Sequence, residues 1–452
     1  MTHHVIIGAG PAGVIAAETI RKHAPADRIT LIGDEPEAPY SRMAIPYLLM
    51  GNIQEVGTHL RKSPTHWADL RIERVTARVQ SLKPGAAGQP HAMALTDGQT
   101  LQADRVLVAS GSKPAQAPVP GIDSPNVHTC WTLADARAIA AKATPGSRVL
   151  QMGAGFIGCI IMEALAARGV QLSVVEMGDR MVPRMMGPVA GGMIRRWVEK
   201  KGVKVYTGAR VERIELPAPG LLERVGSALG FGGDSALGPM RVSLSTGQVL
   251  EADLVISATG VKPSMDFLKG SGITCLRGVL TNEHMETTVP GIYAAGDCAE
   301  AFDKVSGTTI VSAIQPNAAD QALVAALNMV DRSSPRAELK GVTQINVLDT
   351  LGLISASFGN WEGVPGGQHA ELVDEPNNRS LSLQFDGDVM VGCNSVGWTE
   401  HVGVMRGLLE GRVHLGEWKD KLLEDPTQLM PAYLASAQGQ GVWSGAADAR
   451  RR

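Results

Sequence analysis

The sequence predicts an α/β protein: two copies of one strand–turn–helix–strand unit, each opening a three-layer, Rossmann-like domain, followed by a C-terminal α+β domain. Three observations predict it. First, Val5-Ile-Ile ends in the glycine turn Gly8-Ala-Gly10-Pro-Ala-Gly13 and continues into an alanine-rich helical stretch to about Lys22. Second, Arg148-Val-Leu-Gln-Met ends in Gly153-Ala-Gly155-Phe-Ile-Gly158, with a helical stretch to Arg168. Third, from about Ala337 the strand-like runs 344–347, 381–385 and 389–391 alternate with turns, before terminal helices and a small-residue tail.

Size and composition agree with this plan. A chain of 452 residues is long for one core and comfortable for two or three domains. A net charge of −3 gives no reason to expect nucleic acid or an anionic membrane as partner. The opening Met-Thr-His-His leads into an apolar strand too short for a signal peptide, and no apolar run reaches the length of a membrane span. The five cysteines (130, 159, 275, 298 and 393) form no close pair, which suits a reducing cytoplasm and supplies no dithiol centre and no metal-ligand spacing.

Along the first unit, Gly8 allows the tight turn after the strand. Gly10 lets backbone approach a pyrophosphate at the positive helix end, and Gly13 lets helix and strand pack closely. A second strand, Ile29 to Ile32, ends at Asp34-Glu35, where an acid can bind ribose hydroxyls. Ile72 to Ser81 reads as one strand, and Arg105 to Ala109 as another that closes into the loop Ser110-Gly111-Ser-Lys-Pro114. The second unit repeats the pattern. Its second strand, Leu172 to Val175, ends at Glu176, which would accept from a free 2′-hydroxyl and repel a 2′-phosphate, favouring NADH over NADPH. Arg180 and Arg184 lie near enough in sequence to meet a phosphate, or form a solvated basic loop. Asp253 to Gly260-Val-Lys-Pro263 mirrors the 105–114 segment. Pro217 to Gly238 reads as a mobile hairpin insertion. In Gly296-Asp297, the aspartate can bond a ribitol hydroxyl while the following backbone passes a pyrophosphate.

The motifs Gly8-Ala-Gly-Pro-Ala-Gly13, Ala109-Ser-Gly111, Gly153-Ala-Gly-Phe-Ile-Gly158, Ala258-Thr-Gly260 and Ala295-Gly-Asp297-Cys298 resemble, in that order, the two-dinucleotide-binding-domain flavoproteins of the pyridine nucleotide-disulfide oxidoreductase superfamily. The resemblance implies an FAD domain split into residues 1–115 and 254–330, an NAD domain over 116–253, and a C-terminal interface domain over 331–452 that makes a homodimer plausible. It implies FAD contacts from Gly8, Gly10, Pro11, Ala12, Gly13, Val79, Ser110, Gly111, Gly296 and Asp297, and NADH contacts from Gly153, Gly155, Phe156, Ile157, Gly158, Glu176 and Gly260. The stretch Asp34-Glu35-Pro-Glu-Ala-Pro-Tyr40-Ser-Arg42 resembles ferredoxin and rubredoxin reductases and the flavin domain of NADH-dependent nitrite reductase, which gives Asp34 and Glu35 the FAD ribose and Arg42 its phosphates. Asn317 reads as the N-cap of an alanine-rich helix (Ala318 to Asn328) after Gln315-Pro316. In relatives this helix points its positive end at the flavin, which adds Asn317 and Ala318 to the FAD set.

The departures concern the chemistry. Met43-Ala-Ile-Pro46-Tyr47 is similar to the Cys-Gly-Leu-Pro-Tyr segment of NADH oxidases and CoA-disulfide reductases, but methionine stands in the cysteine's place. Tyr47 occupies a position near which ferredoxin reductases carry lysine. Relatives read Gly-Phe-Ile-Gly-x-Glu, whereas here Gly158 is followed by Cys159-Ile160 and the glutamate comes at Glu163, which either substitutes or is a surface or capping residue. Tyr47 and Glu163 are the candidates for direct catalysis. Cys159 and Cys298 read as core packing, and Trp361, Trp398 and Trp418 either border the flavin or fill a core. The expected function is an NADH-dependent FAD oxidoreductase that passes electrons to a ferredoxin- or rubredoxin-type protein. The alternatives are an NADH oxidase or reductase acting on oxygen or a small molecule, and a flavin-binding redox sensor.

Overall fold

A computed structural model describes residues 1–216, 238–330 and 336–437, and its architecture is that of two similar parallel sheets and one antiparallel sheet. The first parallel sheet has the order Ile292–Ala294, Arg105–Val108, His3–Ile7, Arg28–Gly33, Ile72–Thr76. The second has the order Lys204–Thr207, Gln171–Glu176, Arg148–Met152, Leu254–Ser257, Val127–His128. Buried on both faces, the central strands are continuous apolar runs (Val5, Ile6 and Ile7; Leu254, Val255 and Ile256) rather than alternating ones. Each parallel sheet carries a three-stranded antiparallel ribbon: 79–83, 91–95 and 100–103 beside the first, and 211–215, 240–244 and 249–252 beside the second. The connecting segments Ser112–Pro114 and Val261–Pro263 pair antiparallel, so the chain's crossings between the two units are zipped together.

Each glycine turn is shaped by close backbone approach. Gly8 has φ +120°, a region open to glycine, and a Cβ there would lie 2.0 Å from the Ala109 carbonyl oxygen. Gly13, in the helix Pro11–His23, lies so near the strand end that a Cβ would stand 1.9 Å from the Gly8 carbonyl oxygen. That helix packs on the helix Gln315–Val330, small residue against small residue, with Ala12 and Ala318 both close to Gly296.

The C-terminal sheet is antiparallel, ordered Ile345–Thr350, Leu353–Gly359, Val389–Val396, Arg379–Asp386, Gln368–Asp374. The helices Val402–Glu410, Glu417–Glu424 and Leu429–Ser436 follow it, and a core of Phe358, Phe385, Leu408 and Leu422 lies between. Trp361, Trp398 and Trp418 are all partly buried, and Trp398 and Trp418 pack against this core. Leu348, Leu353 and Val396 belong instead to the core of the second parallel unit, alongside Cys159 and Met162.

The structure corrects three expectations. The run Ile72 to Ser81 is two strands: Ile72–Thr76 joins the first parallel sheet and Val79–Lys83 begins the ribbon. Alternating hydrophobicity continues through the break because it does not record which sheet a strand joins. Leu254–Ser257 is an inner strand of the second sheet, so the return to the first unit comes later than residue 254. The helix after Ile314 starts at Gln315, which places Asn317 inside the first turn rather than at the cap. Pro316 is tolerated there because a first-turn N–H needs no helical partner. The insertion expected over 217–238 falls almost wholly outside the described residues, as does the tail from 438. No described helix is long and apolar enough to cross a membrane.

The Gly13 approach has a measurable consequence. Gly13→Ala gains up to about 1 kcal/mol of helix propensity but forces backbone overlap that costs roughly 1–3 kcal/mol or more. Urea unfolding of the flavin-free variant is therefore expected at a lower midpoint, and an unchanged or higher midpoint would refute the close-approach account.

Candidate functional site

Both glycine turns end in helices whose first N–H groups have no side-chain partner. Gly10 and Gly155 are the N-caps, neither helix is capped by a side chain, and a Cβ on either glycine would meet nothing within 4 Å. Two uncapped, positively polarised helix ends, each with an open face where a bulkier residue would intrude, fit the pyrophosphate of a dinucleotide. The second turn is reinforced by Gln151, buried in the strand before it, whose Nε2 donates to the carbonyls of Gly153 (2.8 Å) and Gly158 (2.9 Å).

Around the first turn, the acids at the end of the second strand are held by basic partners. Asp34 pairs with Arg78 (2.7 and 2.9 Å). Glu35 accepts from Arg42 (2.6 Å) and from the Tyr40 hydroxyl (2.5 Å). Arg42 also donates to the Trp131 carbonyl (2.6 Å), and its guanidinium lies 5.5 Å and 5.4 Å from the Tyr40 and Trp131 ring centres. Burial raises the Tyr40 hydroxyl's pKa, the nearby Arg42 charge works against that rise, and Tyr40 accepts from the Leu133 N–H (3.3 Å). This cluster couples the first unit to the start of the helix Leu133–Lys142.

The strand ends converge on Asp297. Its carboxylate accepts from the Ser112 hydroxyl (2.8 Å), and burial raises its pKa against that bond and the Arg42 charge. Ser110 donates to the Ser264 carbonyl (2.6 Å), while Gly111 keeps φ +65° with open space around it. Gly296 donates its N–H to the buried Gln321 side chain (2.8 Å). Asn317 is turned to the Ser312 hydroxyl (2.7 Å) and the Thr343 carbonyl (3.3 Å), so it holds the helix start to the segment leading into the third sheet. Val79 is buried at the start of its ribbon strand.

Around the second turn, Glu176 accepts from the N–H of Ala154 (2.7 Å) and of Gly178 (2.8 Å), which orients its carboxylate at the strand end. A small cleft is lined by Ile157 and Ile161, one helical turn apart, together with Trp131, Ser257 and Gly260. Phe156 packs partly buried against the unit's core. Glu163 does not line this cleft. It stands near Asp349 of the third sheet, and burial followed by that neighbouring carboxylate raises its pKa. Two positions beyond Ile161 on a helix is about 200° of rotation, so Glu163 lies at the seam with the C-terminal domain rather than on this cleft.

On the remaining candidate face, Met43 (50 % exposed) and Tyr47 (53 % exposed) sit on the short helical segments Arg42–Ala44 and Ile45–Leu49. All five cysteines are free. Cys130, Cys159, Cys298 and Cys393 are buried, and burial pushes the Cys130 and Cys159 thiols up to about 12. Sequence reading overlooked Arg78, Trp131, Ser112, Gln151 and Gln321. Gln321 carried a signal, as a lone glutamine one turn beyond Asn317 in an alanine-rich helix, and Ser112 lies one residue past the Ala109-Ser-Gly111 motif. Nothing local marked Trp131 or Arg78, which reach the site from other elements.

Residues 2–322 match the family described as pyridine nucleotide-disulphide oxidoreductase. Over 426 residues, 94 % of this chain and 95 % of the relative, the sequence is 29 % identical to subunit epsilon of the NADH-dependent phenylglyoxylate dehydrogenase of Aromatoleum evansii. It is 30 % identical over 332 residues to an NADH oxidase of Methanocaldococcus jannaschii, covering 72 % of this chain and 69 % of that one. It is also 30 % identical over 299 residues to the ferredoxin reductase component of a Cupriavidus chlorobenzene dioxygenase, covering 66 % and 67 %. With two uncapped glycine turns, a Gly-Asp motif at a strand end and this match over most of its length, the chain belongs to the pyridine nucleotide-disulphide oxidoreductase family.

Proposed function

We propose that the chain takes hydride from NADH onto FAD and passes the electrons to a separate small redox protein of ferredoxin or rubredoxin type. The observation that carries this reading is the side from which electrons leave. Where thiol-using relatives place a redox cysteine, Met43 is half exposed, and methionine forms neither a disulfide nor a sulfenic acid. Cys130 borders the cleft, but its thiol is buried, raised to about 12 and without a second thiol as partner, so it stays protonated and inert. The likeness to the Cupriavidus ferredoxin reductase component supports an external acceptor. The likeness along nearly the whole length of a dehydrogenase subunit supports a protein partner as well.

FAD, when bound, accepts an electron pair as hydride and releases electrons singly. The chain's part is to bind, orient and exclude water. On this reading Gly8, Gly10, Pro11, Ala12 and Gly13 cradle the FAD pyrophosphate. Asp34 and Glu35 hold its ribose, Arg42 its phosphates, and Val79, Ser110, Gly111, Gly296, Asp297, Asn317 and Ala318 the remainder. Gly153, Gly155, Phe156, Ile157, Gly158 and Gly260 receive NADH, with Glu176 on the ribose hydroxyls. Five free thiols support a reducing cytoplasmic location, and a homodimer through the C-terminal domain belongs to the same reading. A second reading, direct reduction of oxygen, is favoured by the likeness to the Methanocaldococcus NADH oxidase.

The two readings separate in one assay. NADH oxidation by the flavin-loaded protein should be slow in air and rise at least tenfold when ferredoxin or rubredoxin and cytochrome c are added. Fast peroxide or water formation without a carrier, and no stimulation by one, would establish the oxidase instead.

Asp297 gives a pH-dependent expectation. Its raised pKa means that the ionised carboxylate costs stability in the flavin-free protein. Stability from this group is full below the ordinary carboxylate range and is lost as pH rises through the raised value. Asp297→Asn should therefore stabilise the flavin-free protein at pH 7 and lose that advantage near pH 3, while weakening FAD binding by roughly tenfold or more. Calorimetry at the two pH values and flavin titration read the two effects, and a variant less stable at pH 7 than at pH 3 relative to wild type would contradict the assignment.

Thiol accessibility is equally direct. Cys275 is the half-buried cysteine, so a thiol reagent should find about one reactive group in the folded protein and all five in urea. Two or more fast thiols before unfolding, lost on oxidation, would restore a disulfide relay.

A further inference from the structure

We propose that the loop 181–187 is a preorganised clamp over the nicotinamide dinucleotide, in which Arg184 contacts the pyrophosphate and Asn394 of the C-terminal domain positions the loop. This rests on the reading of the second unit as the NADH site. The loop leaves the strand that ends in Glu176 and leads into the helix Pro188–Lys200. Near its start Val182 is buried with φ +50°, a left-handed conformation that a β-branched residue adopts only when its surroundings impose it. Those surroundings are visible. The Val182 N–H donates to the carbonyl of Ala154, inside the glycine turn (2.9 Å), and its own carbonyl accepts from the N–H groups of Met185 and Met186 (3.0 Å each). The loop is thus fastened directly to the turn that meets the dinucleotide.

The other end is held from outside the unit. Asn394, buried in the strand Val389–Val396, donates from Nδ2 to the Met185 carbonyl (2.9 Å) and accepts at Oδ1 from the Gly187 N–H (2.9 Å). One amide therefore satisfies both directions of the loop backbone, donating from Nδ2 and accepting at Oδ1, which an ionised carboxylate, an acceptor only, cannot do. Between the two fastenings stands Arg184. Its side chain is exposed, and its guanidinium nitrogen lies 3.9 Å from where a Cβ on Gly260 would be. The segment carrying Gly260 packs on the glycine turn, since a Cβ on Gly153 would come within 2.4 Å of the Ala258 carbonyl. Arg184 accordingly overlooks the same turn as the uncapped helix end at Gly155. It makes no ion pair with Glu176 or any other described carboxylate, whereas its neighbour Arg180 is committed to Asp179 (2.7 Å) and the Met186 carbonyl (2.9 Å). An unpaired guanidinium beside the turn suits a bridging diphosphate.

The test uses the flavin-loaded full chain with ferricyanide as acceptor, measuring KM and kcat for NADH and NADPH together with flavin content. Arg184→Met should raise KM roughly tenfold for both nucleotides with kcat within twofold, and Arg184→Lys should recover much of the loss. Asn394→Leu should raise KM for both by roughly three- to tenfold at unchanged flavin content, with Asn394→Asp intermediate. An unchanged KM in Arg184→Met overturns the contact, and a rise confined to NADPH reassigns it to the 2′-phosphate. A melting temperature that falls in Asn394→Leu while KM holds reduces Asn394 to a structural role. Should the wild-type protein neither oxidise NADH nor bind NAD⁺ by calorimetry, the reading of the second unit itself has failed, and that is seen before any variant is compared.

Discussion

The contact on which the rest of the molecule depends is the approach of a helix to the strand that precedes it, close enough that no side chain fits between. Gly13 against Gly8, and Gly158 against Gly153, bring a helix N-terminus to the end of a parallel strand with its N–H groups unpaired. Everything nearby follows from that spacing. The uncapped ends become anion sites, the acids closing the second strands stand beside them, and small residues (Ala12, Ala318) are needed where the helices Pro11–His23 and Gln315–Val330 converge on Gly296.

Two copies of this device in one chain set up a relay, and their joining determines what the relay is for. The crossings at Ser112–Pro114 and Val261–Pro263 pair with each other, and Pro114 and Val261 border the small cleft that Trp131, Ile157 and Gly260 line on the second unit. The cluster of Glu35, Tyr40, Arg42 and Trp131 adds a polar fastening from the first unit to the start of the helix Leu133–Lys142. At the face where a thiol would complete a disulfide relay, the side chain is methionine. On the proposed reading, the second half of the reaction then falls to another protein.

The C-terminal domain takes part in this arrangement beyond covering it. Its strands bury Leu348, Leu353 and Val396 in the core of the second unit, Trp197 donates to the Leu351 carbonyl (3.1 Å), and Asn394 reaches into the loop beside the glycine turn. The same seam receives Glu163, beside Asp349, where a carboxylate is costly to ionise.

The sequence by itself determined the fold class, the two glycine turns, the acids that follow them, the Gly-Asp motif and the missing redox cysteine. All of these are local patterns, in which a few consecutive residues must satisfy the geometry of one turn. Tertiary structure decided whatever depends on which distant segments meet. It divided Ile72 to Ser81 between two sheets and kept Leu254–Ser257 in the second unit. It drew Asn317 into the helix and turned Glu163 away from the cleft. It also brought Arg78, Trp131 and Asn394 to the sites from other elements. Periodicity reports which face of an element is buried but not what it is buried against, so partners distant in sequence leave no trace in local spacing.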